Sequence, residues 1–249
     1  MNEYSFNVWQ NQGLSHPGPS PAMRNCATGV KTASMTLVAK KPHSPAGRRA
    51  SREARQLQLI EATMRCIAKK GIGSTTLADV ASMAGLSQGI VNLHFKSKDN
   101  LLNETLLHLA DEYRAQFEKA LAKSGPGVAD KLLALIRLDL KPSVCNPQKL
   151  AVWFAFWGEV KSRPTYRRIC DDVDRHYDEV IQGLCESIIA DGDYNHVTAA
   201  EATAALTAMT NGLWLDCLIS PQTWDRHAAL DAVLSYLKSV FPSHFPETT

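Results

Sequence analysis

The densest group of chemically distinctive side chains lies in Leu150-Ala-Val-Trp153-Phe154-Ala-Phe156-Trp157-Gly-Glu159, where four aromatics fall within five residues. On a helix, Trp153, Phe156 and Trp157 stand at i, i+3 and i+4 and share a face. Aromatic faces attract quaternary ammonium groups through cation–π attraction, worth about 0.5–2 kcal/mol per contact. Trp214, followed two positions on by Asp216, repeats the spacing of Trp157 and Glu159. Trp153, Phe156, Trp157 and Trp214 as walls, with Glu159 or Asp216 as counter-charge, would make a cage for a small cation. The competing reading is core and dimer packing, the commoner use of aromatic stripes at helical spacing.

A second group is polar. Ser87, Gln88 and Asn92 stand outward at the start of a short helix whose inward positions are Val80, Leu86, Ile90 and Val91. A recognition helix reads base edges with its N-terminal residues, and Gln and Asn suit adenine N6 and N7. Other chemistry is missing from the sequence: it contains no P-loop, no G-x-G-x-x-G, no H-E-x-x-H and no G-x-S-x-G. No catalytic residue, no cofactor and no metal site is therefore assigned, and the chain is not read as an enzyme. Asp172 and His176, four apart, read as a solvated pair rather than as metal ligands. The six cysteines form no C-x-x-C pair and sit singly in apolar helical patterns. That usage implies a reduced, cytoplasmic chain, with a redox signal at Cys170 or Cys185 as an alternative.

Elements must position these groups, and the pattern is helical throughout. The expected class is all-α with about nine helices. Leu57, Ile60, Met64 and Ile67 mark one apolar face, stopped at Gly71 and Gly73. A short helix Leu77–Ala84 follows, then the turn at Gly85, then Gln88–His94 capped by Ser87, then a long helix from Lys98 to about Lys123. Further helices are expected around Leu132–Leu138, over Leu150–Glu159, Tyr166–Ala190 and Thr198–Ile219, and from about Trp224 to Val240. Residues 1–47 hold five of the twelve prolines and no sustained apolar period, and are expected to be disordered. Met35 offers an alternative start, and Lys40, Lys41, Arg48 and Arg49 either follow a nucleic-acid backbone or form a solvated tail.

Composition sets the outer bounds. The chain has 249 residues, 45% hydrophobic and 21% charged, which excludes collagen-like, mucin-like and wholly disordered classes. No apolar run approaches the ~20 residues that span a bilayer, so no membrane role is expected. The net charge of +2 is uneven: residues 48–100 carry +5 and residues 101–249 carry −6. A basic front on an acidic back suits a chain whose front meets a polyanion.

Two short helices about a Gly-containing turn describe a helix-turn-helix. Residues 55–103 resemble the DNA-binding domain of the TetR family of repressors. The resemblance rests on Thr75-Thr76, Val80-Ala81, Ala84-Gly85-Leu86-Ser87-Gln88-Gly89 and His94-Phe95-Lys96-Ser97-Lys98-Asp99 with Leu101-Leu102. It implies a leader (1–47), a three-helix DNA-binding domain (48–97) and a helical ligand-binding and dimerisation domain (98–245). It also implies that Thr76, Ser87, Gln88, Asn92, His94 and Lys98 meet DNA. Thr76 and Lys98 open helices, where free N–H groups favour phosphate. Family members usually carry an aromatic where Asn92 or Leu93 stands, and this chain does not. Phe95 reads as a core plug.

Behind this domain, Trp153-x-x-Phe156-Trp157, Pro164-x-Tyr166-Arg167-Arg168, Asp174-Arg175-x-Tyr177 and Asn211-Gly212-Leu213-Trp214-Leu215 resemble the BetI-like, choline-responsive branch. That resemblance implies a repressor released from a palindromic operator by a small cationic ligand such as choline. It implies control of choline-to-glycine-betaine genes and a homodimer formed through the last two helices. The alternatives are a helical amine-binding protein or enzyme with a non-functional helix-turn-helix, and a TetR-type repressor sensing another ligand or redox state.

Overall fold

The computed structural model describes residues 45–246, with side chains from Ser51 onward. Among these residues there are nine helices and no strand, as the all-α reading expects. They are α1 (Pro45–Lys70), α2 (Leu77–Ala84), α3 (Gln88–Phe95), α4 (Lys98–Lys123), α5 (Val128–Asp139), α6 (Pro147–Glu159), α7 (Pro164–Gly192), α8 (Ala199–Ile219) and α9 (Arg226–Val240). The disorder expected for the leader lies outside the described residues up to position 44, as do the alternative start Met35 and the basic pair Lys40 and Lys41. The side chains of Arg48 and Arg49 are likewise not described. Residues 45–47, assigned to that leader, instead form the first turn of α1, where a proline is tolerated because its missing N–H has no partner to lose.

The inward face of α1 centres on Leu59, Thr63, Cys66 and Ile67. Leu57, expected on that face, lies roughly a third of a turn round from its centre and is 42% exposed. Gly71 ends α1 at φ 81°. Thr76 opens α2 with a capping box: its hydroxyl accepts the Asp79 N–H at 3.2 Å, and the Asp79 carboxylate accepts the Thr76 N–H at 2.9 Å. Gly85 closes α2 in the left-handed region at φ 67°, and the Leu86 N–H returns to the Ala81 carbonyl at 2.8 Å. A side chain at residue 85 would be strained in that conformation, which is why a glycine stands there. Val80, Ala81, Ala84, Val91 and Phe95 are buried between α1, α2, α3 and α4, so Phe95 is the core plug it was read as.

Two helices join this front to the rest. The first, α4, starts at the Ser97 cap beside α3 and runs on to pack against α5 and α7. The second, α6, packs on α1 at one side and on α7 and α8 at the other. Its start is set by Asn146, whose side chain accepts the Lys149 N–H at 3.0 Å, and by Pro147 in the first turn. Between α4, α6, α7 and α8 the aromatic side chains converge.

Candidate functional site

The front surface is built on α3. Gln88 and Asn92 are exposed on it, and Ser87 precedes it with no side-chain cap bond to occupy its hydroxyl. These three residues therefore present polar groups from one helix start. Thr76 is placed differently. Its hydroxyl is engaged in the capping box, and Asp79 is also paired with Lys70. Hydrogen bonds from Lys70 and Thr76 hold the Asp79 carboxyl down at about 2. Lys98 stands at the start of α4 and donates to the Gly73 carbonyl at 3.0 Å, tying the loop before α2 to α4. His94 is half-buried, with a buried Nδ1 that has no hydrogen-bond partner. Burial, then Arg52 and Arg55, lower its pKa, so the ring is neutral at pH 7.

Sequence reasoning passed over Arg52 and Arg55. The two arginines are exposed on α1 and line a surface hollow with Ile90, Leu93 and His94 of α3. Their i, i+3 spacing in the basic segment was the available signal. Leu93 is 71% exposed, an apolar side chain standing out from the polar face of α3.

The second site is a cavity of about 390 Å³. Its aromatic walls are Tyr113 of α4, Trp153 and Trp157 of α6, Tyr177 of α7 and Trp214 of α8. Trp157 and Trp214 stack at 6.4 Å between ring centres with 18° between planes, and Tyr113 meets Trp214 edge-on at 6.2 Å. Three carboxylates of α7 line it as well: Asp171, Asp174 and Asp178. The Asp178 carboxylate accepts the Thr207 hydroxyl at 2.9 Å. Asp174 borders the cavity, where burial and then Asp178 and Asp171 push it up to about 6. Arg167 is the basic residue of the lining.

Of the six residues expected to form a cage, Trp153, Trp157 and Trp214 do line the cavity. Phe156, Glu159 and Asp216 do not, and for the two acids the reason is helical geometry. Residues two apart on a helix are about 200° apart, so an acid at i+2 faces away from its tryptophan. Asp216 is exposed to solvent, and Glu159 accepts the Ser162 hydroxyl at 3.1 Å. Phe156 is fully buried and meets Tyr166 edge-on at 5.0 Å. The acids that do face the cavity, Asp171, Asp174 and Asp178, are not among those the sequence suggested as counter-charge. The spacing of Asp171, Asp174 and Asp178 on one face with Tyr177 was the signal that could have placed them.

Beneath the aromatic walls lies Asp139, the last residue of α5, 1% exposed. Its Oδ1 accepts the Tyr113 hydroxyl at 2.8 Å, and its Oδ2 accepts the Tyr177 hydroxyl at 3.0 Å. Its carbonyl accepts the Trp214 indole N–H at 2.9 Å. Burial pushes its carboxyl up to about 7, against the lowering effect of the two tyrosines.

Other chemistry is not assembled. Asp172 pairs with Arg175 at 2.6 Å, and His176 lies 3.3 Å from Glu118. No group of side chains among the described residues could hold a metal ion. Cys170 and Cys185 are buried, and burial pushes them up to about 12 and about 11, which keeps both as unreactive thiols. No described helix is long and apolar enough to cross a membrane.

Residues 59–105 match the tetR family of bacterial regulatory proteins, and residues 128–242 match the C-terminal domain of BetI-type transcriptional repressors. The HTH-type transcriptional regulator BetI of Burkholderia thailandensis is 30% identical over 187 residues, covering 75% of this chain and 93% of that protein. The chain belongs to the TetR family, with a BetI-type C-terminal domain. BetI of Paraburkholderia phymatum is 33% identical, covering 75% of this chain and 92% of that one. Among solved structures, a transcriptional regulator from Pseudomonas aeruginosa PAO1 superposes with a TM-score of 0.68 at 26% identity, over 77% of this chain and 93% of the other. A regulator from Saccharomonospora viridis, solved in complex with choline, superposes with a TM-score of 0.65 at 23% identity, over 75% and 96%. This TetR-family chain is thus a DNA-binding transcriptional repressor, not an enzyme, and the polar face of α3 belongs to its helix-turn-helix.

Proposed function

We propose that this repressor is released from a palindromic operator by a small quaternary-ammonium ligand of the choline kind, bound among Tyr113, Trp153, Trp157, Tyr177 and Trp214. The observation that carries the proposal is a cavity of about 390 Å³ in which aromatic faces from four helices meet a row of carboxylates. A volume at the small end of ligand pockets, apolar walls and negative charge together select a compact cation. The choline held by the Saccharomonospora viridis neighbour supports the same ligand class. By the resemblance to the BetI-like branch, the regulated genes are those converting choline to glycine betaine, and the protein works in the cytoplasm.

In this reading residues 48–97 are the DNA-binding domain and residues 98–245 the sensing and dimerisation domain. Gln88 and Asn92 read bases. Ser87, Thr76, His94 and Lys98 lie along the backbone, Thr76 through the free N–H groups that open α2. The dimer forms through α8 and α9. Apolar residues run round α8, and Leu215 and Ile219 are 41% and 67% exposed in the single chain, a surface that a second copy would cover. The cavity reaches the front through α6, which carries Trp153 and Trp157 and packs on α1. A ligand that favours one setting of α6 shifts the spacing of the two reading heads, with coupling of about 1–3 kcal/mol typical of such systems.

Calorimetry with choline and with 3,3-dimethylbutanol, its neutral analogue of the same shape, tests the cage. Choline is expected to bind and the alcohol to bind far more weakly. Equal binding would reduce the site to a hydrophobic pocket. Gel-shift binding to the DNA upstream of the chain's own gene, with and without choline, tests operator and inducer together. A complex that choline leaves intact would rule choline out as inducer.

A further inference from the structure

Three of the five aromatic walls of the cavity are tied to a residue that does not itself line it. Asp139 closes α5 on the same face as Leu132, Leu135 and Ile136, a charged residue continuing an apolar stripe. A buried carboxylate there demands partners. The carboxylate finds them on two other helices, Tyr113 of α4 on one oxygen and Tyr177 of α7 on the other, while the main-chain carbonyl of the same residue accepts from Trp214 of α8. Three of the five aromatic walls are therefore oriented by one residue. The next residue, Leu140, extends the junction by accepting the Arg226 Nε–H of α9 at 2.6 Å.

We propose that Asp139 is the positioning residue of the cation site, holding Tyr113, Tyr177 and Trp214 in their cage orientation and supplying from behind the rings the negative charge that makes the cavity prefer a cation to a neutral molecule. The proposal rests on the cage reading above. A tyrosine that donates its hydroxyl proton to an anionic acceptor becomes more electron-rich, which strengthens the attraction of its face for a cation. An ionised carboxylate accepts from both tyrosines at once. A neutral group in its place cannot do both, because it must turn a donor towards one of them. Asp171, Asp174 and Asp178 border the ligand directly, so Asp139 acts through the rings and they act by contact.

The test uses the full chain and two variants. Asp139→Asn keeps the shape and one acceptor. Its amide N–H₂ faces one tyrosyl oxygen, and the Tyr177 hydroxyl has Thr210 as a neighbouring partner to turn to. Calorimetric affinity for choline is expected to fall at least tenfold in this variant, with 3,3-dimethylbutanol affinity held within about twofold. A parallel loss for both probes would mean a purely structural role, and no loss for either would mean no role; both overturn the proposal. Asp139→Leu keeps the volume and removes both side-chain acceptors. In the absence of ligand, its near-ultraviolet circular dichroism from tyrosine is expected to weaken while the far-ultraviolet helix signal is retained, because Tyr113 and Tyr177 lose their acceptors and Trp214 keeps the main-chain carbonyl. Unchanged aromatic bands overturn the positioning claim. If the unaltered protein binds neither probe, the cage reading fails, and the ligand-free spectra of the two variants decide the positioning claim separately.

Discussion

Gln88 and Lys98 separate two ways in which a side chain can matter to DNA binding. Gln88 is exposed at the start of α3 and has two donors and an acceptor to offer a base edge. Gln88→Ala is expected to cost about 1–3 kcal/mol on the operator and to relax preference at one position. An equal loss on random DNA, measured by competition gel shift, would remove Gln88 from base reading. Lys98 brings charge to a helix start, so Lys98→Ala should weaken all sequences alike and flatten the logarithmic salt slope by about one. The buried acids give a pH signature. Asp139 is raised to about 7 and Asp174 to about 6, both chiefly by burial, from an ordinary value of 3.8. A carboxyl raised on folding favours the folded state in its neutral form. That stability is fully present below about pH 4 and is lost as pH rises through about 6 and 7. The titratable groups facing Asp139 are Tyr113 from α4, Tyr177 from α7 and Cys145 beyond α5, with Asp174 acting on Tyr113; the tyrosines and Cys145 are raised and stay neutral in this range. A cation in the cavity favours the ionised acids and offsets the loss. The rise in melting temperature at saturating choline should therefore be larger at about pH 8 than at about pH 5.5. The opposite order would disconnect these acids from the ligand.

At the scale of elements, the capping box of α2 and the double packing of α6 make the sharpest predictions. Thr76→Ala removes the cap hydroxyl and should lower stability by about 1 kcal/mol, read from a denaturant midpoint. Trp157→Leu takes one stacked ring from the cavity, and should reduce choline binding while operator affinity without ligand stays within about threefold. Loss of folding or of the dimer in that variant would return Trp157 to core packing. Helix limits were legible because caps are local chemistry: Ser97 and Gly85 make cap bonds where sequence rules put them, and α2 matches its expected span residue for residue, whereas Ser87 holds the position before α3 without the side-chain cap bond expected of it. The three tryptophans of the cavity were legible as well, from their types and from the i, i+4 step between Trp153 and Trp157. The counter-charge was not. Proximity in sequence suggested Glu159 and Asp216, whereas the turn of the helix points both away and the acids of the site come from α7. Whether an acid such as Asp174 faces water or a cavity depends on which helix packs beside it, and no local rule carries that. Asp139 left a trace, a charge within the stripe Leu132, Leu135, Ile136, but its partners lie 26, 38 and 75 positions away along the chain.

For the whole molecule, the exposed apolar end of α8 makes the assembly testable. If the dimer proposed above forms through α8, Leu215→Glu combined with Ile219→Glu should drive it toward monomers in sedimentation and weaken operator binding, because one reading head then holds one half-site. A variant that stays dimeric would move the interface elsewhere. The division of labour among the helices has a further effect. All fifteen residues that line the cavity lie at or beyond Tyr113, so α1, α2 and α3 contribute none. Changes that admit a bulkier or differently charged ligand can thus accumulate without altering a single group that faces a base. Such a chain can be given a new chemical trigger while it keeps its genomic address, by selection in nature or by design in a reporter cell.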